Sequence, residues 1–281
     1  MRNVTVTIKK RSNRTAASKT LPSYKKPPVQ EVAIGFVYAE LTALKIPHIG
    51  ILWEKFRKDF PLVEHAAPLF HRNAVTDAAT GLPLPRIWFI DPTEARLIQI
   101  QNDRFYFNWR HRDDHDAYPR YENIAHQFKT YLAVFENFLN EMQLGALKPL
   151  ELELTYINHI PKGQGWETVD NLSGVFTDLC WDPTRDRFLP KPTSIAWHAS
   201  FALPEDKGQM RIRLSEAKRK SDSVPLIILE LSAKGSSKHE SANQMWDWYA
   251  VAHEWIVRGF SDITTPEIQF QHWEREDVSR S

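Results

Sequence analysis

The chain sets down the same succession of elements twice, and that repetition limits the folds open to it. Residues 31–143 run strand, helix, further strands and a long amphipathic helix; residues 151–262 repeat the order with different residues. In the first half, residues 29–38 (VQEVAIGFVY) form a strand bounded by Pro27 and Pro28. Residues 48–60 carry Ile49, Leu52, Trp53 and Phe56 at helical spacing, and Pro61 stops them. Residues 64–85 are expected as a loop, 86–90 as a strand, and 97–110 as a long strand or a bent pair. Residues 121–142 make the clearest helix. Ile124, Phe128, Tyr131, Leu132, Phe135, Phe138, Leu139 and Met142 fall on one apolar stripe, and Gly145 follows as a stop signal.

The second half opens with a strand over 150–160 and a short helix over 166–176. Strands follow over 193–203, 209–217 and 225–233, with a hairpin turn at Glu205, Asp206, Lys207 and Gly208. A second long helix covers 241–260, with Met245, Trp248, Tyr249, Ala252, Ile256 and Phe260 on its inner face. An antiparallel sheet of this kind buries one face under helices. The expected fold class is therefore α+β: tandem duplicated strand-helix-strands-helix units forming antiparallel sheet(s) backed by two long helices. The implied organisation is a flexible basic arm over 1–28, a first unit over 29–149, a second over 150–275 and a tail over 276–281. A partly open sheet face is the natural place for a peptide, a nucleic-acid strand or another subunit.

Charge separates the arm from the body. Residues 1–30 hold eight Lys or Arg, including Lys9, Lys10, Arg11 and Arg14, and no acid. The remainder has 28 basic and 35 acidic residues, a net of about −7. The arm has too few apolar residues to order itself and suits contact with nucleic acid or an acidic partner. The acidic body argues against a broad duplex-binding face. With Cys180 the single cysteine, no disulfide forms within the chain, as in a reducing cytoplasm. Asp178 and Asp182 flank that thiol and would raise its pKa, which argues against a nucleophile. No apolar run is long enough to span a bilayer, and the basic amino terminus lacks the apolar stretch of a signal peptide. The 10 Trp, 8 Tyr and 15 Phe are expected mainly as core, with some rings left for a binding surface.

The densest polar cluster runs from Gln99 to Arg110. Read as one strand, it puts Gln99, Gln101 and Asp103 on one face and Asn102, Arg104, Asn108 and Arg110 on the other. Such a strand needs partners for polar groups on both faces. Arg104 is expected in an ion pair such as that with Glu122; the alternative is a ligand or partner groove. Asn158 and His159 close a strand near mid-chain and point to opposite faces. Gln101, Asp103, Arg104, Asn108, Arg110, Asn158 and His159 are the candidate binding residues. His111, Asp113, Asp114, His115 and Asp116 read as a solvated loop, and His198 as a packed strand histidine. His253 and Glu254 resemble the start of a helical zinc motif, but Val257 stands where the second ligand belongs. No metal and no cofactor is expected. The glycine patterns of dinucleotide, P-loop and hydrolase sites are absent too.

The segments HIGILWEKFRKDFP, PRIWFI, LIQIQNDRFYFNWR, YPRYE, LTYINHI and EWIVRGFSDITTPEIQFQHW resemble a sporadically distributed family of uncharacterised prokaryotic proteins. The resemblance covers residues 27–275, and the QxDRFxxNWR-like and RGFxDxTTP-like stretches carry it. It implies no particular activity. The patchy distribution of that family is like that of genes in mobile, defence or toxin–antitoxin islands. The leading expectation is a non-enzymatic binding or assembly protein that recognises a protein partner or a nucleic-acid-containing complex. One alternative is a hydrolase or nuclease using Asp, His and Arg in a cleft between the units. Another is a sequence-independent nucleic-acid binder acting through the arm. Self-association is left open.

Overall fold

Register explains the fold better than element count does. The computed structural model describes residues 20–69, 85–112, 117–182, 184–236 and 242–276. A two-residue ladder joins β1 (Ser23–Tyr24) to β11 (Arg275–Glu276). The main sheet contains β2 (Val29–Tyr38), β3 (Leu62–Ala66), β4 (Arg86–Ile90), β5 (Arg96–Gln101) and β6 (Arg104–Arg110). It continues with β7 (Pro149–Pro161), β8 (Ala196–Ala202), β9 (Gln209–Lys218) and β10 (Pro225–Ser236). These nine strands lie in the order β3-β4-β5-β6-β2-β7-β10-β9-β8, each antiparallel to its neighbours. The helices are α1 (Ile46–Phe56), α2 (Tyr121–Glu141), α3 (Ala242–Ile263) and α4 (Pro266–Gln271). The chain is thus α+β, built on an antiparallel sheet. Among the described residues no helix is long and apolar enough to cross a membrane.

Pairing lines the side chains into rows across the strands. Phe107 stands opposite Ile34, Ile34 opposite Leu154, Leu154 opposite Ala233, and Ala233 opposite Met210. Paired residues share a face, so this apolar row marks the buried side, where all five are at most 3% exposed. Helix α2 packs on β2 and β6, and α3 on β7, β9 and β10. Phe105 stacks on Phe135 of α2 with ring centroids 5.0 Å apart. Phe128 of α2 meets Trp246 and Tyr249 of α3 edge-on, both at 5.8 Å. Each such buried ring contributes roughly 2 kcal/mol of apolar burial. Most aromatics of the chain belong to this core, as their number led one to expect.

Several local expectations need correction. Residues 62–66 form β3, an exposed edge strand that takes in the first three residues of the loop expected over 64–85; Leu62, Val63, Glu64, His65 and Ala66 show no alternation to mark it. Residues 70–84 lie outside the described residues. The helix expected over 48–60 ends at Phe56, and Trp53 Nε1 donates to the Phe60 carbonyl at 3.1 Å to hold the turn that follows. The helix expected over 166–176 is a 3-10 segment, Val169–Gly174, with Asn171 outside helical geometry. Ser23 and Tyr24, placed in the arm, are tied down by β11, and Lys26 pairs with Glu274 at 2.6 Å. The short helix α4 was not anticipated. Gln269 fixes it, its Nε2 donating to the Ser261 and Thr264 carbonyls.

Gly35 sits mid-strand in β2, beneath the Tyr106 ring. Its carbonyl accepts the Tyr249 hydroxyl at 2.6 Å, which links α3 to the sheet. A Cβ at position 35 would overlap the Phe105 carbonyl oxygen and the Tyr106 ring. Gly35→Ala should therefore destabilise the fold by about 2–3 kcal/mol, and Tyr249→Phe by about 1 kcal/mol. Urea melts of the two variants check both values.

Candidate functional site

The sheet face opposite the helices is polar, and its rows are as continuous as those of the core. One row runs Trp88, Gln99, Tyr106, Gly35, Glu153, Lys234, Gln209. The next runs Leu97, Asn108, Ala33, Thr155, Ser232, Arg211. A third runs Arg110, Glu31, Ile157, Glu230, Arg213, His198. Parts of these rows, with Arg86 and Arg104, line a trough of about 440 Å³ whose walls include Tyr106, Glu153, Arg211 and Lys234.

Most of its buried groups are already bonded. Gln99 accepts from Arg86 Nη1 and from Trp88 Nε1, both at 3.1 Å, and donates to Asn108 Oδ1 at 2.7 Å. Asn108 donates in turn to Glu31, which also faces Arg110 at 3.5 Å. Tyr106 donates to Glu153 Oε2 at 3.0 Å; Lys234 and Thr155 add bonds of 2.9 and 3.1 Å to the same carboxylate. Burial and the Glu153 charge push the Tyr106 hydroxyl well above its usual range, so it stays a donor. Burial, and after it the nearby Arg104 and Arg110, lower the pKa of Arg86, a sign of excess positive potential.

The hairpin between β5 and β6 overturns the expected split of the polar cluster. The chain reverses at Asn102 and Asp103, which pairs Gln101 with Arg104. Gln99, Gln101, Arg104, Asn108 and Arg110 therefore share the open face, and Phe105, Phe107 and Trp109 take the covered one. A single strand read in alternation cannot show this, because a reversal resets the phase. The carboxylate partner of Arg104 is Asp103, bidentate at 3.0 Å through Nε and Nη2, and not Glu122. Glu122 lies by the cavity on the covered side. Burial alone would lower the Arg104 pKa, but the Asp103 bonds outweigh it and raise the value. Gln101 holds Leu69 through its main-chain N–H and carbonyl, and donates to Asp103.

Asn158 and His159 do point to opposite faces. Asn158 is buried on the covered side and donates to the Leu229 carbonyl at 3.0 Å. His159 is on the open face at the far end of β7, its pKa lowered by burial and then by Arg219. Asp103 adjoins Tyr38 while Asn158 pairs with Val29. That separation is nine residues of β2, about 30 Å at roughly 3.3 Å per residue. The structure thus does not gather Asp103, Arg104 and His159 into one cleft. His198 is exposed on β8, opposite Arg213. Lys9, Lys10, Arg11, Arg14, Asp113, Asp114, His115 and Asp116 lie outside the described residues. No cluster of metal-ligating side chains occurs among the described residues. Arg86, Tyr106, Glu153, Arg211, Arg213, Glu230 and Lys234 were missed. The alternation of QMRIRLSE and LELSAKG does mark their spacing, but not which strands become neighbours.

A second cavity, of about 240 Å³, lies on the covered side between the amino-terminal segment, α2 and α3. His253 stacks on Tyr121 there at 3.9 Å, and the Tyr118 and Tyr156 hydroxyls bond at 3.0 Å. Burial raises the Tyr118 pKa to about 12.

No family model and no curated protein sequence matches the chain. A solved structure, that of DynU16, described as a protein in the dynemicin biosynthetic locus, is similar over 83% of this chain and 98% of that one. The identity is 10% and the TM-score 0.24, a likeness too slight to carry any argument.

Two outcomes follow from these geometries. Arg104→Ala should lose about 3 kcal/mol, because it leaves Asp103 buried and unpaired. The double variant Asp103→Ala/Arg104→Ala should lose less than the two single losses combined, which a double-mutant cycle in urea reads directly. His253 is held down to about 4 by burial, against an ordinary 6.5. The unfolded chain therefore takes the proton first, and stability should fall by about 3 kcal/mol as pH drops from 6.5 toward 4. His253→Phe keeps a ring against Tyr121 and should flatten the melting midpoint across that window.

Proposed function

We propose that this protein is a non-enzymatic binding or assembly protein, and that the open face of its sheet recognises a partner in a larger complex. The observation that carries this reading is the face itself: a continuous surface that no helix among the described residues covers, whose buried polar groups are fixed to one another. A surface held in this way presents a rigid pattern of charge. Asp103 and Glu153 are each engaged by several donors, which suits them to shaping a surface better than to moving protons.

The proposal extends to how the surface arose. Each half begins with a strand that pairs with the last strand of that half, β2 with β6 and β7 with β10, and each ends in a long helix. The first strands of the two halves pair antiparallel, β2 with β7. We read this as two tandem units related by an approximate two-fold at that seam, joined to give one broad face. A cytoplasmic setting fits the exposed free thiol of Cys180. The resemblance to a sporadically distributed prokaryotic family, and with it a place in a mobile, defence or toxin–antitoxin system, belongs to the same proposal.

Affinity purification from the native host tests the reading with the parent and with Arg211→Glu/Arg213→Glu. These two side chains are exposed, so the variant should melt within about 0.5 kcal/mol of the parent. Partners held by the open face should be lost from the variant. Recovery of the same partners with both proteins would refute the assignment.

A further inference from the structure

We infer that the trough on the open face receives an extended segment of a partner protein carrying carboxylates at both ends and an uncharged stretch between. This deepens the binding role proposed above and rests on it. Charge along the trough is zoned. Arg86 and Arg104 stand on one flank and Arg211 and Arg213 on the other; Glu153, Glu230 and Lys234 belong to strands between them, where Lys234 pairs with Glu153 at 2.9 Å and leaves Glu230 as the central carboxylate without an ion pair among the described residues. Among the described residues both flanks hold more cation than ion-paired carboxylate, although Glu230 stands opposite Arg213. Asp103 satisfies Arg104, but among the described residues Arg86, Arg211 and Arg213 form no ion pair. The Arg86 Nε is buried with no hydrogen-bond partner among the described residues, although its Nη1 reaches Gln99.

The spacing suits a short peptide. Six strand intervals separate β4, which carries the unpaired Arg86, from β9, which carries Arg211, about 29 Å at roughly 4.8 Å each. About nine residues of extended chain cover that span. Guanidinium forks at either end can take a carboxylate bidentately. The central carboxylate Glu230 then meets residues without negative charge. A nucleic-acid strand fits less well, because it repeats its charge at every nucleotide and would set phosphates against that carboxylate. Among the described residues its Tyr and Trp rings are not free for bases to stack on. Tyr106 is 6% exposed and bonded to Glu153, and Trp88 is capped by Arg86 and Arg110 at 5.3 and 4.8 Å.

Fluorescence anisotropy on the full chain, at one low salt concentration, tests this with three labelled probes. The first is a ten-residue peptide with two glutamates at each end and serine and glycine between. The second is its isomer with all four glutamates in the centre, and the third is a ten-nucleotide thymidylate. The end-charged peptide should bind about tenfold more tightly than either of the others. Arg211→Ala/Arg213→Ala, at unchanged melting temperature, should weaken it about tenfold, and Arg86→Gln should weaken it from the other flank. Tighter binding of the thymidylate would assign the face to nucleic acid and overturn the inference. Equal binding of the isomer, indifference to the arginine variants, or no binding of either peptide would overturn it as well. A native partner still lost on Arg211→Glu/Arg213→Glu would then leave the broader binding role intact, so the two failures are separable.

Discussion

The antiparallel pairing of β2 with β7 is the constraint on which the rest depends. It runs from Val29 and Asn158 to Tyr38 and Pro149 and joins segments more than a hundred residues apart. Because side chains alternate with a period of two, this single register decides which residues of both halves are buried. Ile34 and Leu154 go under the helices together, and Ala33 and Thr155 go to the open side together. A slip of one residue would turn one half over and leave half the apolar rows in water. Tyr249 guards against this, since its hydroxyl reaches from α3 across to Gly35 on the strand of the other half.

The two faces of the sheet solve different physical problems. The covered face is a packing problem, met by interlocking rings such as Phe105 with Phe135 and Phe128 with Tyr249. The open face is a satisfaction problem. Its inner members, Gln99, Asn108, Thr155 and Arg104, are largely removed from water. An unbonded polar group there would cost about 1–3 kcal/mol, and the chains of bonds through Gln99 and Glu153 avoid most of that cost. What is left over is cationic and lies at the flanks.

The elements with strong periodicity were legible in the sequence: α2, α3, β2, β7, β9 and β10 fall within a few residues of where the apolar pattern puts them. Weaker signals failed for identifiable reasons. The strand β3 is short and exposed, lies at the sheet edge beside β4 alone and has no alternating pattern, so nothing local marks it. The β5–β6 reversal is made by Asn102 and Asp103 without a glycine, which hides the turn inside what reads as one long strand. That concealed turn is also why the candidate site was half visible. Gln101, Asp103, Arg104, Asn108 and Arg110 were recognised as a cluster but divided between two faces. Their counterparts on β9 and β10 come from more than a hundred residues away, and only tertiary pairing sets Ser232 beside Arg211. Asn158 drew attention for its polarity, yet its partner is a main-chain carbonyl.

The zoned charge of the open face has a consequence for the speed of encounter. With Arg104 paired to Asp103 and Lys234 to Glu153, charges of both signs lie close together across the face, and their combined field decays with distance faster than that of a uniform basic patch. Beyond about 8–10 Å salt screens the small remaining excess of positive charge. An approaching molecule therefore feels little pull until it is almost in contact. Association should then proceed at the unsteered rate of about 10⁵–10⁶ M⁻¹s⁻¹, and discrimination should reside in how long a fitting molecule stays. If the face binds as proposed, polyanions would be passed over at a distance and sorted by their spacing on contact.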